Sequence, residues 1–140
     1  MNTSELYHKS LLQDENRQLI YTAMSKRCFY LRMHISKYVL QKGNVPLNPF
    51  MLFDYFLLDC VNRNIIRDAN NSIVLRADQL WVFGPISNGV AAEIALAKKA
   101  NKPISYFAIE NPSKTTVLNG TSNIKIISIS ENEVEMEIEQ

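Results

Sequence analysis

The sequence predicts an α/β fold, a parallel sheet with helices on both faces, from three observations. Leu80 to Phe83 form an unbroken apolar run of strand length closed by Gly84 and Pro85, as expected of a strand covered on both sides. A helix-patterned stretch follows at once, with Val90, Ile94 and Ala97 on one stripe,. The same succession of strand and helix recurs before and after this corner, and alternation of that kind implies parallel strands joined by crossover helices.

Residues 1–17 are polar, with Ser4 as a cap candidate and only a weak stripe from Leu6, Leu11 and Leu12, so they are expected to be a leader,. Leu19, Ile20 and Tyr21 begin a first, central strand that runs into Thr22–Ser25,. Residues 25–41 predict one long helix, with Cys28, Leu31, Ile35 and Tyr38 or Val39 on its apolar face and Gly43 as its stop signal,. Two prolines within residues 45–50 suit a strand end passing into a loop that lines a pocket through Asn48,. Residues 51–59 and 61–76 predict two further helices. The aromatic group Phe50, Phe53, Tyr55 and Phe56 suits either core packing or stacking on a planar ligand,.

Ser87 is the N-cap candidate of the helix after the strand at 80–83,. Gly89, Glu93 and Ala97 lie four residues apart, so a carboxylate is bracketed by positions with almost no side chain, which leaves room for a ligand,. The plain alternative is a solvated glutamate. Against it, neither Leu96 nor Ala97 supplies the cation that a surface glutamate often finds one turn on, and a helix opening at the carboxyl end of a parallel strand is where open α/β sheets bind ligands,. Asn101–Pro103 end the helix and a strand begins at Ile104,. After Asn111 the composition changes. Asn119–Gly120 mark a turn, residues 123–130 have strand character, and Val134, Met136 and Ile138 alternate with glutamates, predicting a C-terminal β-hairpin over 113–140 or an acidic tail,.

At 140 residues the chain is expected to be one domain, burying roughly two thirds of its unfolded surface,. Its 15 basic and 14 acidic residues give no global reason to expect a nucleic acid polymer,. No apolar run approaches the roughly 20 residues of a membrane helix. Cys28, Cys60, His8 and His34 show no metal-ligand spacing, and the absence of a charged-then-apolar leader suits a reducing cytoplasm,. No cofactor is implied. The first strand ends in ThrAlaMetSerLys without the spaced glycines of a phosphate loop, although Thr22, Ser25 and Lys26 with nearby backbone N–H groups suit a single phosphate,.

The runs Ala77–Gly84, Ser87–Ala97 and Asn101–Ile104, with Gly43–Phe53, resemble the signature of the nucleoside 2-deoxyribosyltransferase-like superfamily. It includes the deoxyribosyltransferases, the 2'-deoxynucleoside 5'-phosphate N-hydrolases and uncharacterised bacterial relatives. The similarity covers about residues 18–110 and bears on fold more than reaction,. It implies a flavodoxin- or Rossmann-like domain over 18–112 acting on a small nucleotide or nucleoside. Glu93 then matches the nucleophile, which forms a glycosyl-enzyme intermediate resolved by a second base or by water. Ser87 matches the serine that contacts the 5'-phosphate in the hydrolases, where the transferases carry aspartate. Asn70 holds the place of an aspartate that helps protonate the leaving base. An amide cannot act as a general acid, so that role passes to Asp68 or another group, or the chain binds nucleotide without turnover. The resemblance also implies a homodimer or larger oligomer, with Asn119 or Ser113 reaching a neighbour's site.

Overall fold

The computed structural model describes residues 17–53, 60–110 and 124–137. Five strands form one sheet: β1 (Leu19–Met24), β2 (Val45–Leu47), β3 (Gln79–Phe83), β4 (Ile104–Glu110) and β5 (Lys125–Ile129). Their order is β2-β1-β3-β4-β5, parallel throughout except that β5 runs antiparallel to β4. The helices are α1 (Arg32–Gln41), α2 (Pro49–Leu52), α3 (Arg63–Arg76) and α4 (Asn88–Lys99). This is the expected α/β architecture, and Pro46 falls on the edge strand β2, where a missing N–H is tolerated,.

Alternation along the strands divides the core in two. Tyr21, Ala23, Leu80, Val82 and Tyr106 point to one face, where Val74 and Ala77 at the end of α3 and Val90, Ile94 and Ala97 of α4 cover them,. Ile20, Met24, Trp81, Phe83 and Phe107 point to the other, under Leu31, Ile35 and Val39. There the Phe83 and Phe107 rings stack at 4.9 Å, and Tyr38 meets Trp81, Phe83 and Phe107 edge-on. Asp78 anchors the start of β3: its Oδ2 accepts the Leu19 N–H at 2.7 Å while its own N–H donates to the Leu19 carbonyl.

Two expectations need correction. The helix predicted over 25–41 begins as a 3₁₀ turn, Lys26–Leu31, and becomes α-helical only at Arg32. Its first turn holds no acid, and Lys26 and Arg27 oppose the dipole there; Cys28, Phe29 and Tyr30 are also poor helix formers,. Nor do Val134 and Met136 form a hairpin with β5. The chain turns through Glu131–Glu133, capped reciprocally by Ser130 and Glu133, and Met136 then bridges in parallel to Ile86. The leader residues 1–16, residues 54–59 with Tyr55 and Phe56, Ser113, Asn119 and its turn, and Ile138 lie outside the described residues. Among the described residues no helix is long and apolar enough to cross a membrane.

Phe83 is fully buried and touches both Tyr38 and Phe107. Phe83→Ala is expected to destabilise the fold by about 3–5 kcal/mol, measured by urea unfolding followed by circular dichroism.

Candidate active site

The strand order reverses between β1 and β3: the chain leaves β1 towards β2 on one side and returns to build β3, β4 and β5 on the other. Crevices at the carboxyl ends of such strands are where open α/β sheets take ligands. Here that corner opens into a cavity of about 840 Å³. Its walls come from residues 24–27 at the end of β1, Pro49, Phe50 and Phe53, the α3 residues Ile66, Arg67, Asn70 and Asn71, and residues 87–90, 92 and 93 after β3, with Glu137 from the C-terminal segment.

Local sequence explains how each wall is presented. Gly84 adopts φ +77°, a backbone turn that side chains resist, and a Cβ there would lie 3.2 Å from the Cys28 sulfur,. The chain thereby leaves β3 sharply enough for Ser87 to cap α4, its Oγ accepting the Val90 N–H at 3.3 Å. The Ser87 hydroxyl hydrogen remains available to a ligand. Ser25 caps the 3₁₀ turn in the same way, accepting the Arg27 N–H at 3.2 Å. Lys26, Arg27 and Arg67 make this side of the cavity cationic.

Glu93 is the centre of the site. The Tyr21 hydroxyl, on a fully buried side chain of β1, donates to Glu93 Oε2. Burial pushes the Glu93 carboxyl up to about 7, outweighing the Tyr21 hydrogen bond, which pulls the other way,. The Tyr21 phenol is itself pushed far up, first by burial and then by the Glu93 charge, so it stays a donor. Cys28, behind the loop, has its thiol pushed up by burial and then by the Glu137 charge.

The structure brings together Glu93, Ser87, Gly89, Ser25, Lys26 and Asn70 on the cavity wall. It does not bring Thr22, Asn48 or Asp68 there. Thr22 lies wholly inside the sheet, its Oγ1 directed at the Leu47 carbonyl at 3.5 Å. Asn48 is buried as the cap of α2, with Oδ1 accepting the Phe50 N–H and Nδ2 near the Met24 sulfur. Asp68 is exposed, because two residues along a helix turn it roughly 200° away from Asn70,. Ala97 packs in the core with Val90 and Ile94, the apolar stripe that the sequence predicts, and does not line the cavity. Asn119 lies outside the described residues. Sequence reasoning missed Tyr21, although a phenol in a central strand requires a buried partner, and it missed Arg27 and Glu137, for which no sequence pattern gave a signal. Among the described residues no cluster of three or more His, Cys, Asp or Glu is placed to hold a metal ion.

In the unfolded chain Glu93 would titrate near its ordinary 4.5, against about 7 when folded. Between those values the folded state holds a proton that the unfolded chain has released, so this group's contribution to stability falls as pH rises through the window. Glu93→Gln, which keeps an acceptor for Tyr21 but cannot ionise, is expected to gain in melting temperature relative to the wild type as pH goes from 5 to 8. Parallel curves would contradict the raised value.

A search among curated proteins finds no match for this chain. Among solved structures, that of a CMP N-glycosidase from Clostridium botulinum is 21% identical, with a TM-score of 0.44, over 74% of this chain and 79% of that one. The model of a domain of unknown function, DUF7768, matches residues 19–107. That span is well over half of the chain, and the protein therefore belongs to the DUF7768 family.

Proposed function

We propose that the protein cleaves the N-glycosidic bond of a deoxynucleoside or its 5'-monophosphate, with Glu93 as nucleophile. The observation that carries this reading is a desolvated carboxylate on a cavity wall, gripped through one oxygen by a buried phenol. Tyr21 holds Oε2, which leaves Oε1 to attack the anomeric carbon as the bond to the base nitrogen breaks,. The base departs with the bonding electrons and takes up a proton. Water then attacks the same carbon and breaks its ester bond to Glu93, which frees the sugar, restores the carboxylate and gives back the proton that the departed base took up from solvent; a second base in place of water receives the sugar instead. The resemblance of residues 77–104 to the deoxyribosyltransferase-like signature supports the same chemistry. Lys26, Arg67 and the Ser87 hydroxyl give an anionic substituent on the sugar suitable partners,.

A second reading, nucleotide binding without turnover, is favoured by one observation. Asn70 of α3 lines the cavity with its Oδ1 buried and without a partner among the described residues, and an amide cannot protonate a departing base,.

Liquid chromatography of free base released from a panel of deoxynucleosides and their 5'-monophosphates separates the two. Glu93→Ala is expected to lower release by at least about a thousandfold. Equal release from both proteins would remove Glu93 from the reaction, and stabilisation by nucleotide without any release would establish the binding module. Because the Tyr21 bond lowers the Glu93 pKa, Tyr21→Phe is expected to move the acidic limb of the kcat/KM profile to higher pH. An unmoved limb would mean that the titrating group is not Glu93.

A further inference from the structure

Glu137 reaches the cavity from the far end of the chain. Two backbone hydrogen bonds set its approach: Ile86 N–H donates to the Glu135 carbonyl at 2.9 Å, and Glu137 N–H donates to the Ile86 carbonyl at 2.8 Å. These contacts fasten residues 135–137 to the loop just before Ser87. Arg27 then holds the side chain, with its Nε 2.5 Å from Glu137 Oε1. The two partners are unequal. Arg27 is 56% exposed, whereas the Glu137 side chain is only 10% exposed and forms part of the cavity wall.

The second carboxylate oxygen, Oε2, is buried and has no hydrogen-bond partner among the described residues. A buried charged oxygen without a donor is costly. If Glu137 served only to tie down the segment, its two oxygens could share the guanidinium fork, which suits bidentate pairing. Instead one oxygen is committed to Arg27, and the other, on a residue that lines the cavity, is left without a donor among the described residues. A carboxylate paired in this way has acceptor capacity only, so the missing group is an O–H or N–H donor.

We propose that Glu137 is a ligand-binding residue of this cavity, its Oε2 accepting a hydrogen bond from an O–H or N–H group of the substrate while Arg27 positions the carboxylate. The proposal rests on the nucleoside reading above and narrows it. Like charge disfavours a phosphate beside this oxygen, so Glu137 selects a sugar hydroxyl or an exocyclic amine of the base. A different device, in which Glu137 merely occupies Arg27 until an anionic ligand displaces it, would respond in the opposite direction.

The test measures base release, and calorimetric binding, for deoxynucleosides that differ by one donor: bases with an amino or an oxo group, sugars with or without the 3'-hydroxyl, and the corresponding 5'-monophosphates. The proteins are the wild type, Glu137→Gln and Glu137→Ala. Glu137→Ala is expected to weaken substrates carrying the contacted donor by roughly tenfold, mainly in KM, and to leave the analogue lacking that donor unaffected. Glu137→Gln keeps one acceptor and is expected to fall between. The unaffected analogue identifies the donor as sugar or base. A uniform change across all analogues, or tighter binding of monophosphates by Glu137→Ala, would overturn the proposal in favour of a displaced internal anion. Release by the wild type that neither variant alters would overturn this proposal alone. No release and no binding by the wild type would overturn the nucleoside reading and this proposal with it.

Discussion

The hydrogen bond from Tyr21 to Glu93 joins the centre of the sheet to the candidate site, and each end would be costly without the other. Tyr21 is fully buried between β2 and β3, where an unbonded hydroxyl would lose its hydration without replacement,. Glu93 borders the apolar stripe of α4, three residues from Val90 and four from Ala97, both in the core. One side of this carboxylate therefore meets the sheet and the other meets the cavity. Its position is set by packing rather than by a flexible loop, which is the condition for holding a reactive group in a fixed geometry.

Topology supplies the rest of the corner. Because connections leave β1 and β3 in opposite senses, no helix of the described residues fills the space beyond their carboxyl ends,. What lines it depends on short-range chemistry. After β3, Gly84 and the Ser87 cap turn the chain directly into α4 and bring Gly89 and Glu93 to the wall. After β1 there is no glycine loop. Ser25 caps a 3₁₀ turn, and the wall receives the Lys26 and Arg27 side chains rather than a cradle of backbone N–H groups alone. This side of the site is thus cationic through side chains.

How much of this was legible in the sequence follows from the range of the interactions. The strands beginning at 19, 80 and 104 were visible because a two-sided sheet demands short apolar stretches, unbroken in Leu80 to Phe83, and Ser87 because a cap is a local hydrogen bond,. Glu93 was visible through its small neighbours. Thr22 and Asn48 were misjudged as ligand contacts because nothing local distinguishes a polar side chain facing a cavity from one satisfied inside the fold. The structure gives Thr22 the Leu47 carbonyl and Asn48 the Phe50 N–H. The path of residues 134–137 was illegible for another reason. Alternation of apolar residues and glutamates predicts an extended segment but not its partner, and the partner is the Ile86 loop rather than β5,.

The two influences on Glu93 act against each other, and their balance bears on the proposed reaction. Burial disfavours the charge and Tyr21 favours it; burial prevails, so the carboxyl holds its proton well above the usual carboxylate range,. The same desolvation that raises the pKa would strengthen the attraction between the ionised oxygen and positive charge developing at an anomeric carbon. Tyr21 lowers the cost of forming that ion without supplying a positive charge that would oppose the developing cation, as a lysine or arginine in its place would do,. A neutral donor beneath the carboxylate is therefore the partner that glycosidic cleavage calls for, whereas a site built only to hold an anion would be expected to place a cation there.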